Sequence, residues 1–142
     1  MATPMTDDER RAFLSAGTRT AILSVVRRDG TPHAAPVWFV LDGDALVFTC
    51  DGNSAKARML RRTGRAALTV DDATPPYAYV SVRGPVEITT DVDAMLPWAT
   101  AIGGRYMGAD KAEQFGRRNA VPGELLVRLV PEHVVALRGI AD

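Results

Sequence analysis

Between Ala21 and Cys50 three β-rich runs follow one another with only turn-length connections, and this succession limits the fold more than any other feature of the chain. Ala21-Ile-Leu-Ser-Val-Val26 leads into Arg27-Arg28-Asp29-Gly30. His33 to Val40 leads into Asp42-Gly43-Asp44, and Ala45-Leu-Val-Phe-Thr-Cys50 closes the series. Such runs joined by Asp-Gly turns pair as antiparallel neighbours, because a parallel pair needs a crossover of roughly a dozen residues or more. Further runs at Arg65–Val70, Tyr77–Val82 (continuing to Thr89 past a kink at Gly84), Leu125–Val130 and Val134–Arg138 bring the count to about seven strands.

Helices are added to this series without alternating with it. Thr6-Asp-Asp-Glu9 has the form of a capping box, so a helix runs from there to about Ser15, with Gly17 as its stop. Ser54 to Arg62 reads as a second helix, capped by Asn53 or Ser54 and ended near Gly64. Asp91 to Tyr106 is a third, with Pro97 kinking or delimiting its start, and Ala109 to Arg118 a fourth. The expectation is a mainly β, α+β chain folded as one antiparallel barrel or sandwich over residues 1–142, not a set of βαβ units. A length of 142 residues suits a single core, and no repeat, linker or low-complexity segment interrupts it.

Composition then excludes several functions. Seventeen basic and 17 acidic residues cancel, which argues against a broad electrostatic surface for nucleic acid or membrane. One cysteine and two histidines are too few for a Cys/His zinc cluster or a disulfide framework, so no metal site is expected. The longest charge-free stretches, Thr31–Leu41 and Ala94–Gly104, fall short of the roughly 18 apolar residues that span a bilayer. The acidic amino-terminal segment lacks the layout of a secretory signal, and a cytoplasmic location is expected.

The basic residues are unevenly placed. Lys56, Arg58, Arg61, Arg62 and Arg65 fall within ten residues that contain no acid. At about 100° per residue, Lys56 lies between Met59 and Leu60 on the apolar side of its helix, whereas Arg58, Arg61 and Arg62 fan over the opposite side. A cation in the first turn, beside free helix amides, suits a phosphate; the competing reading is a lysine stem covering apolar surface with its head in water. Arg61, Arg62 and Arg65 are read as a solvated face. No aromatic residue lies between Phe48 and Tyr77 to stack on bases, so a nucleic-acid role is weak.

Pro36 removes a ladder donor from its strand, which marks an edge or a bulge where main-chain groups are open to a ligand; alternation puts one of Trp38 and Phe39 in the core. Tyr77 and Tyr79 share a strand face and are read chiefly as packing. His33 and His133 carry no triad spacing, and Cys50 reads as a packing residue. Gly103-Gly104 does not follow a strand, so neither a Walker loop nor a dinucleotide fingerprint is present.

The segments Asp29-Gly-Thr-Pro-His-Ala-Ala-Pro-Val-Trp38, Leu46-Val-Phe-Thr-Cys50 and Ser54-Ala-Lys-Ala-Arg-Met-Leu-Arg-Arg-Thr-Gly-Arg65 resemble the pyridoxamine 5′-phosphate oxidase-like flavin and deazaflavin superfamily. With the late Arg105-Tyr-Met-Gly108 they resemble, more narrowly, its deazaflavin-dependent reductase B group. The resemblance implies a split β-barrel homodimer with the cofactor in a groove between subunits. It implies that Ser54, Lys56, Ala57 and Arg58 bind the cofactor phosphate and tail, and that Pro36, Val37 and Trp38 line the ring. Thr49 and Cys50 would sit on the ribityl side, and Tyr77 and Tyr79 would face ring or substrate across the dimer. The implied activity is hydride transfer from reduced coenzyme F420 to a small electron-poor acceptor such as an enone, quinone or tetrapyrrole. Tyr77, Tyr79 or a water would be the proton source. The alternatives are an FMN-dependent oxidoreductase and a non-enzymatic flavin-binding protein. The carboxy-terminal arginine motif of true pyridoxamine phosphate oxidases is not recognisable in Val121 to Asp142, which disfavours vitamin B6 oxidation.

Overall fold

The computed structural model describes all 142 residues. Its elements in chain order are β1 (Thr3–Pro4), α1 (Asp7–Ser15), β2 (Ala21–Val26), β3 (Pro32–Val37), β4 (Val40–Asp42), β5 (Ala45–Asp51), α2 (Ala55–Thr63), β6 (Arg65–Asp72), β7 (Ala78–Thr89), α3 (Val92–Met107), α4 (Ala112–Asn119), β8 (Glu124–Leu129) and β9 (His133–Arg138). A single 3₁₀ turn, Ala109–Lys111, joins α3 to α4. The strands run β3-β2-β6-β7-β8-β5-β4, with β9 on the flank of β7 and β1 on β9, and every pairing is antiparallel. This curled sheet is a split barrel with four α-helices, as the sequence leads one to expect.

Local chemistry accounts for most of the boundaries. Thr6 and Glu9 form the expected capping box: the Glu9 amide donates to Thr6 Oγ1 and the Thr6 amide to Glu9 Oε1, both at 3.1 Å. Pro97 lies inside α3 without ending it. Two expectations need correction. The single run His33–Val40 is two strands, β3 and β4, because the backbone leaves the ladder at Trp38 and Phe39. Tyr77 does not belong to β7 and so shares no strand face with Tyr79; it follows the cis Pro75–Pro76 bond with φ 69°.

β7 is the strand on which the two halves of the barrel meet. Its first part pairs with β6 and β9, its second with β8, and Gly84 lies at the change of partner. The barrel interior alternates along each strand: Ala21, Leu23 and Val25 on β2, Leu46, Phe48 and Cys50 on β5, Leu125, Val127 and Leu129 on β8. Leu60, Met59 and Ala57 of α2 and Leu14 of α1 close its ends. The opposite face of β5 and β8, with Val47 and Leu126, packs on Met95, Ala99 and Ala120. Gly116 of α4 sits so close to Thr100 of α3 that a Cβ there would stand 2.1 Å from its Oγ1, so these two helices form a tight hairpin over that face.

Candidate functional site

A cavity of about 380 Å³ opens where the α3–α4 hairpin, the start of α2 and the β3–β4 break meet. Its walls are Thr20, Pro36, Val37, Trp38, Thr49, Lys56, Ile102, Asn119 and Glu124. Alternation explains the membership of β5: Thr49 falls on the face of Val47, toward the helices, and Cys50 on the face of Phe48, toward the core. Strand pairing sets Glu124 opposite Asp51, and Leu126 opposite Thr49, on that same outer face.

Lys56 stands in the first turn of α2, a turn without acidic residues. Ser54 Oγ accepts the Ala57 amide at 3.2 Å and the Ser54 carbonyl accepts the Arg58 amide, while the Ala55 and Lys56 amides find no acceptor in the chain. The other four cations of the basic segment are all engaged. Arg58 Nη1 donates to the Asn53 carbonyl at 2.8 Å, Arg61 Nη1 to the Gly52 carbonyl at 2.8 Å and Arg62 to the Val26 carbonyl, and Arg65 pairs with Glu132 at 2.6 Å. Arg61 and Arg62, expected to be merely solvated, therefore tie α2 to the turn at Gly52 and to the end of β2. Lys56 alone has no partner. Nor do Thr20, Thr49, Asn119 and Glu124 make any side-chain hydrogen bond or ion pair within the chain. Five polar side chains on one cavity wall thus keep their bonding capacity for something else.

Electrostatics sharpen the picture. Partial burial raises the Glu124 carboxyl above its ordinary range, Asp51 across the ladder raises it further, and Lys56 opposes both. A raised carboxyl favours the protonated form, so this group opposes folding increasingly as pH climbs past its ordinary value. Glu124→Gln is expected to raise the melting temperature at pH 7–8 and leave it unchanged at pH 4, as read by thermal denaturation; equal melting at both pH values would remove this account. The Cys50 thiol is pushed up to about 11 chiefly by burial, which fits a packing group and not a nucleophile.

Of the residues singled out from the sequence, Pro36, Val37, Trp38, Thr49 and Lys56 meet at the cavity. Cys50 and Ala57 do not line it, since both side chains are in the barrel core, 4% and 0% exposed. Ser54 is the helix cap, donating also to the Asp51 carbonyl at 2.6 Å. Arg58 faces the other flank of α2, where Arg27, Arg28, Ala55, Arg58, Met59 and Arg62 line a second cavity of about 280 Å³ with no carboxylate among them. Tyr77 and Tyr79 lie away from this chain's cavity, Tyr79 opposite Asp71 and Leu137 on the sheet. Sequence reasoning missed Thr20, Ile102, Asn119 and Glu124, which arrive through pairing and the helix hairpin and carry no local signal. His33 Nδ1 meets the Arg27 guanidinium at 3.1 Å, a structural contact as expected. No group of His, Cys, Asp and Glu side chains is arranged to hold a metal, and no helix is long and apolar enough to cross a membrane.

Comparison with known proteins gives these features a context. Among solved structures, the conserved hypothetical protein Rv2991 from Mycobacterium tuberculosis is similar at 26% identity and a TM-score of 0.85, over 95% of this chain and 86% of that one. A structure described as an F420 reductase is 29% identical with a TM-score of 0.67, over 87% and 94% of the two chains. A putative pyridoxamine 5′-phosphate oxidase from Listeria innocua, at 19% identity and a TM-score of 0.71 over 91% and 95%, shares the fold. Among curated proteins none matches. The pyridoxamine 5′-phosphate oxidase family model matches residues 6–137. The chain therefore belongs to the pyridoxamine 5′-phosphate oxidase family, a superfamily of split barrels that bind flavins or deazaflavins.

Proposed function

We propose that this chain is a cytoplasmic reductase that holds reduced coenzyme F420 in the cavity and passes its hydride to a small electron-poor acceptor, such as an enone, quinone or tetrapyrrole. The observation that carries the reading is Lys56, the one cation of its segment without a partner, which lines the cavity from the first turn of α2, a turn whose Ala55 and Lys56 amides have no acceptor in the chain. Such an arrangement suits a phosphate, through charge and through N–H donors already oriented. Pro36, Val37, Trp38 and Ile102 offer an apolar wall for a flat ring system, and Thr49 adds a hydroxyl to the same cavity. The bound deazaflavin supplies the hydride; the protein orients it and keeps water from it.

FMN would satisfy the same phosphate site. The arginine-lined cavity on the other flank of α2 favours F420, whose oligoglutamate tail needs a basic, carboxylate-free surface. Arg28 has no partner in the chain and lines that cavity, so Arg28→Glu leaves the fold alone. Fluorescence titration is expected to show the variant losing about tenfold in F420 affinity, the size of one charge-assisted contact, with FMN affinity unchanged. Tighter FMN than F420 binding by the wild type would instead support the FMN-dependent reading.

The same reading makes the protein a homodimer. Strand pairing aligns Pro36, Ile22, Thr69, Ser81 and Val135 in one row across five strands, on the face turned away from the core. That row is uncharged, Ile22 and Val135 are 40% and 47% exposed, and Pro36 belongs to both the row and the cavity wall. A second copy on this face would border the cavity, which is where Tyr77 and Tyr79 of a partner would have to act. Sedimentation is expected to give twice the 15.3 kDa chain mass and Ser81→Arg to give monomers; a monomeric wild type would refute the dimer.

A further inference from the structure

The break between β3 and β4 is held from outside the sheet. Phe39 is fully buried there while Trp38 turns out to the cavity, 37% exposed. The main-chain groups of Phe39 bond to two consecutive residues of α3: its amide donates to Tyr106 Oη at 3.3 Å, and its carbonyl accepts from Arg105 Nη1 at 2.7 Å. Tyr106 Oη donates in turn to the Arg19 carbonyl at 2.8 Å, one residue before Thr20. The Tyr106 ring stacks on the Trp38 indole, with centroids 5.0 Å apart and planes 1° from parallel. Arg105 further collects the carbonyls of Leu14, Ala16 and Gly17, and its guanidinium lies 4.6 Å over the Phe39 ring. Burial raises the Tyr106 hydroxyl, which keeps it protonated and able to donate.

We infer that Tyr106 is a positioning residue for the cavity: its hydroxyl and ring together fix Arg19–Thr20 and Trp38–Phe39, two separate stretches of the wall, in the geometry that a ring-shaped ligand meets. Tyr106 lies outside the cavity lining and acts only through the residues it holds. No ladder bond restrains Trp38, because the ladder has already ended at Val37 and resumes at Val40; besides the Tyr106 stack its indole meets only the tilted Phe115 ring, with centroids 6.4 Å apart. A wall preset in this way spares the ligand the ordering of a loop, so its loss should appear as weaker binding beyond any loss of stability.

The ligand part of the inference rests on the cofactor reading above, and the experiment separates the two. Tyr106→Phe keeps the stack and removes both hydroxyl contacts. Hydrogen exchange of the Phe39 amide is expected to accelerate at least about tenfold in this variant, and its affinities for FMN and F420 to fall together by about tenfold, the size of one or two hydrogen bonds. Val70→Ala, which thins the barrel core without touching the cavity, serves as the destabilised control and is expected to bind both cofactors within about twofold of wild type. Unchanged Phe39 exchange overturns the inference, and so does faster exchange with unchanged affinity. If wild type binds neither cofactor, the cofactor reading falls, and Phe39 exchange alone decides whether Tyr106 holds the wall.

Discussion

Lys56→Ala is expected to weaken binding of both F420 and FMN by roughly 10- to 100-fold while leaving the melting temperature within about 2 °C of wild type. The asymmetry follows from the bonds that Lys56 can make to a phosphate and does not make within the chain. Hydrogen bonds from a charged donor to a phosphate are worth about 1.5–3 kcal/mol, which converts to that range of affinity. Folding, by contrast, gains little from an ammonium group without a hydrogen-bond or ion-pair partner in the chain; the attraction to the Glu124 carboxyl is what the substitution removes. Isothermal or fluorescence titration of each cofactor, with thermal denaturation on the same samples, reads both numbers. Equal affinity for either cofactor would remove Lys56 from the phosphate site. Arg61→Ala is the informative contrast: it should cost stability, because the Gly52 carbonyl loses its donor, and change affinity little.

Gly84→Ala is expected to cost about 2–4 kcal/mol of stability. A Cβ at this position would stand 2.1 Å from the Val130 carbonyl oxygen and 3.0 Å from the Glu132 nitrogen. Both are main-chain atoms, and the segment that carries them is bonded to the same strand: the Val130 amide donates to the Pro85 carbonyl at 2.9 Å and the Glu132 amide to the Arg83 carbonyl at 3.0 Å. A flexible side chain would swing away; this segment must lift and break those bonds, so the overpacking cost and the hydrogen-bond cost add. Urea denaturation measures it, and a loss under about 1 kcal/mol would mean that the segment yields without breaking its bonds.

How much of this was legible beforehand follows a physical division. Contacts between residues near in sequence were readable: the Asp29-Gly30 and Asp42-Gly43 turns, the Thr6–Glu9 box and the inward tilt of Lys56 depend on side chains within a few positions of one another. At Gly84, where a kink was expected, β7 runs on unbroken and changes partner instead. The β3–β4 break was not, because Phe39 is drawn from the ladder by Arg105 and Tyr106, residues whose place beside it only the finished fold decides. The same holds for Thr20, Asn119 and Glu124 at the cavity, and for the tether from Arg61 to Gly52. Thr49 and Cys50 show the boundary well: strand alternation guarantees that they diverge, yet which of the two meets the cavity depends on where the helix hairpin lies. The two-residue β1 exists only because β9 offers it an edge, and no propensity of Thr3-Pro4 announces it.

The cavity wall is drawn from stretches as distant as Thr20 and Glu124, with three strands, α2 and the α3–α4 hairpin each giving a part. An occupant therefore acts as a clasp on the whole chain. Any local opening that parts the hairpin from the sheet must first release it, so occupancy at 100 times the dissociation constant adds about 2.7 kcal/mol to the work of opening. The amino-terminal helix shares in this, since Arg105 grips its carbonyl end at Leu14. In a cell that keeps the cofactor in excess, the filled protein would outlast the empty one against proteolysis.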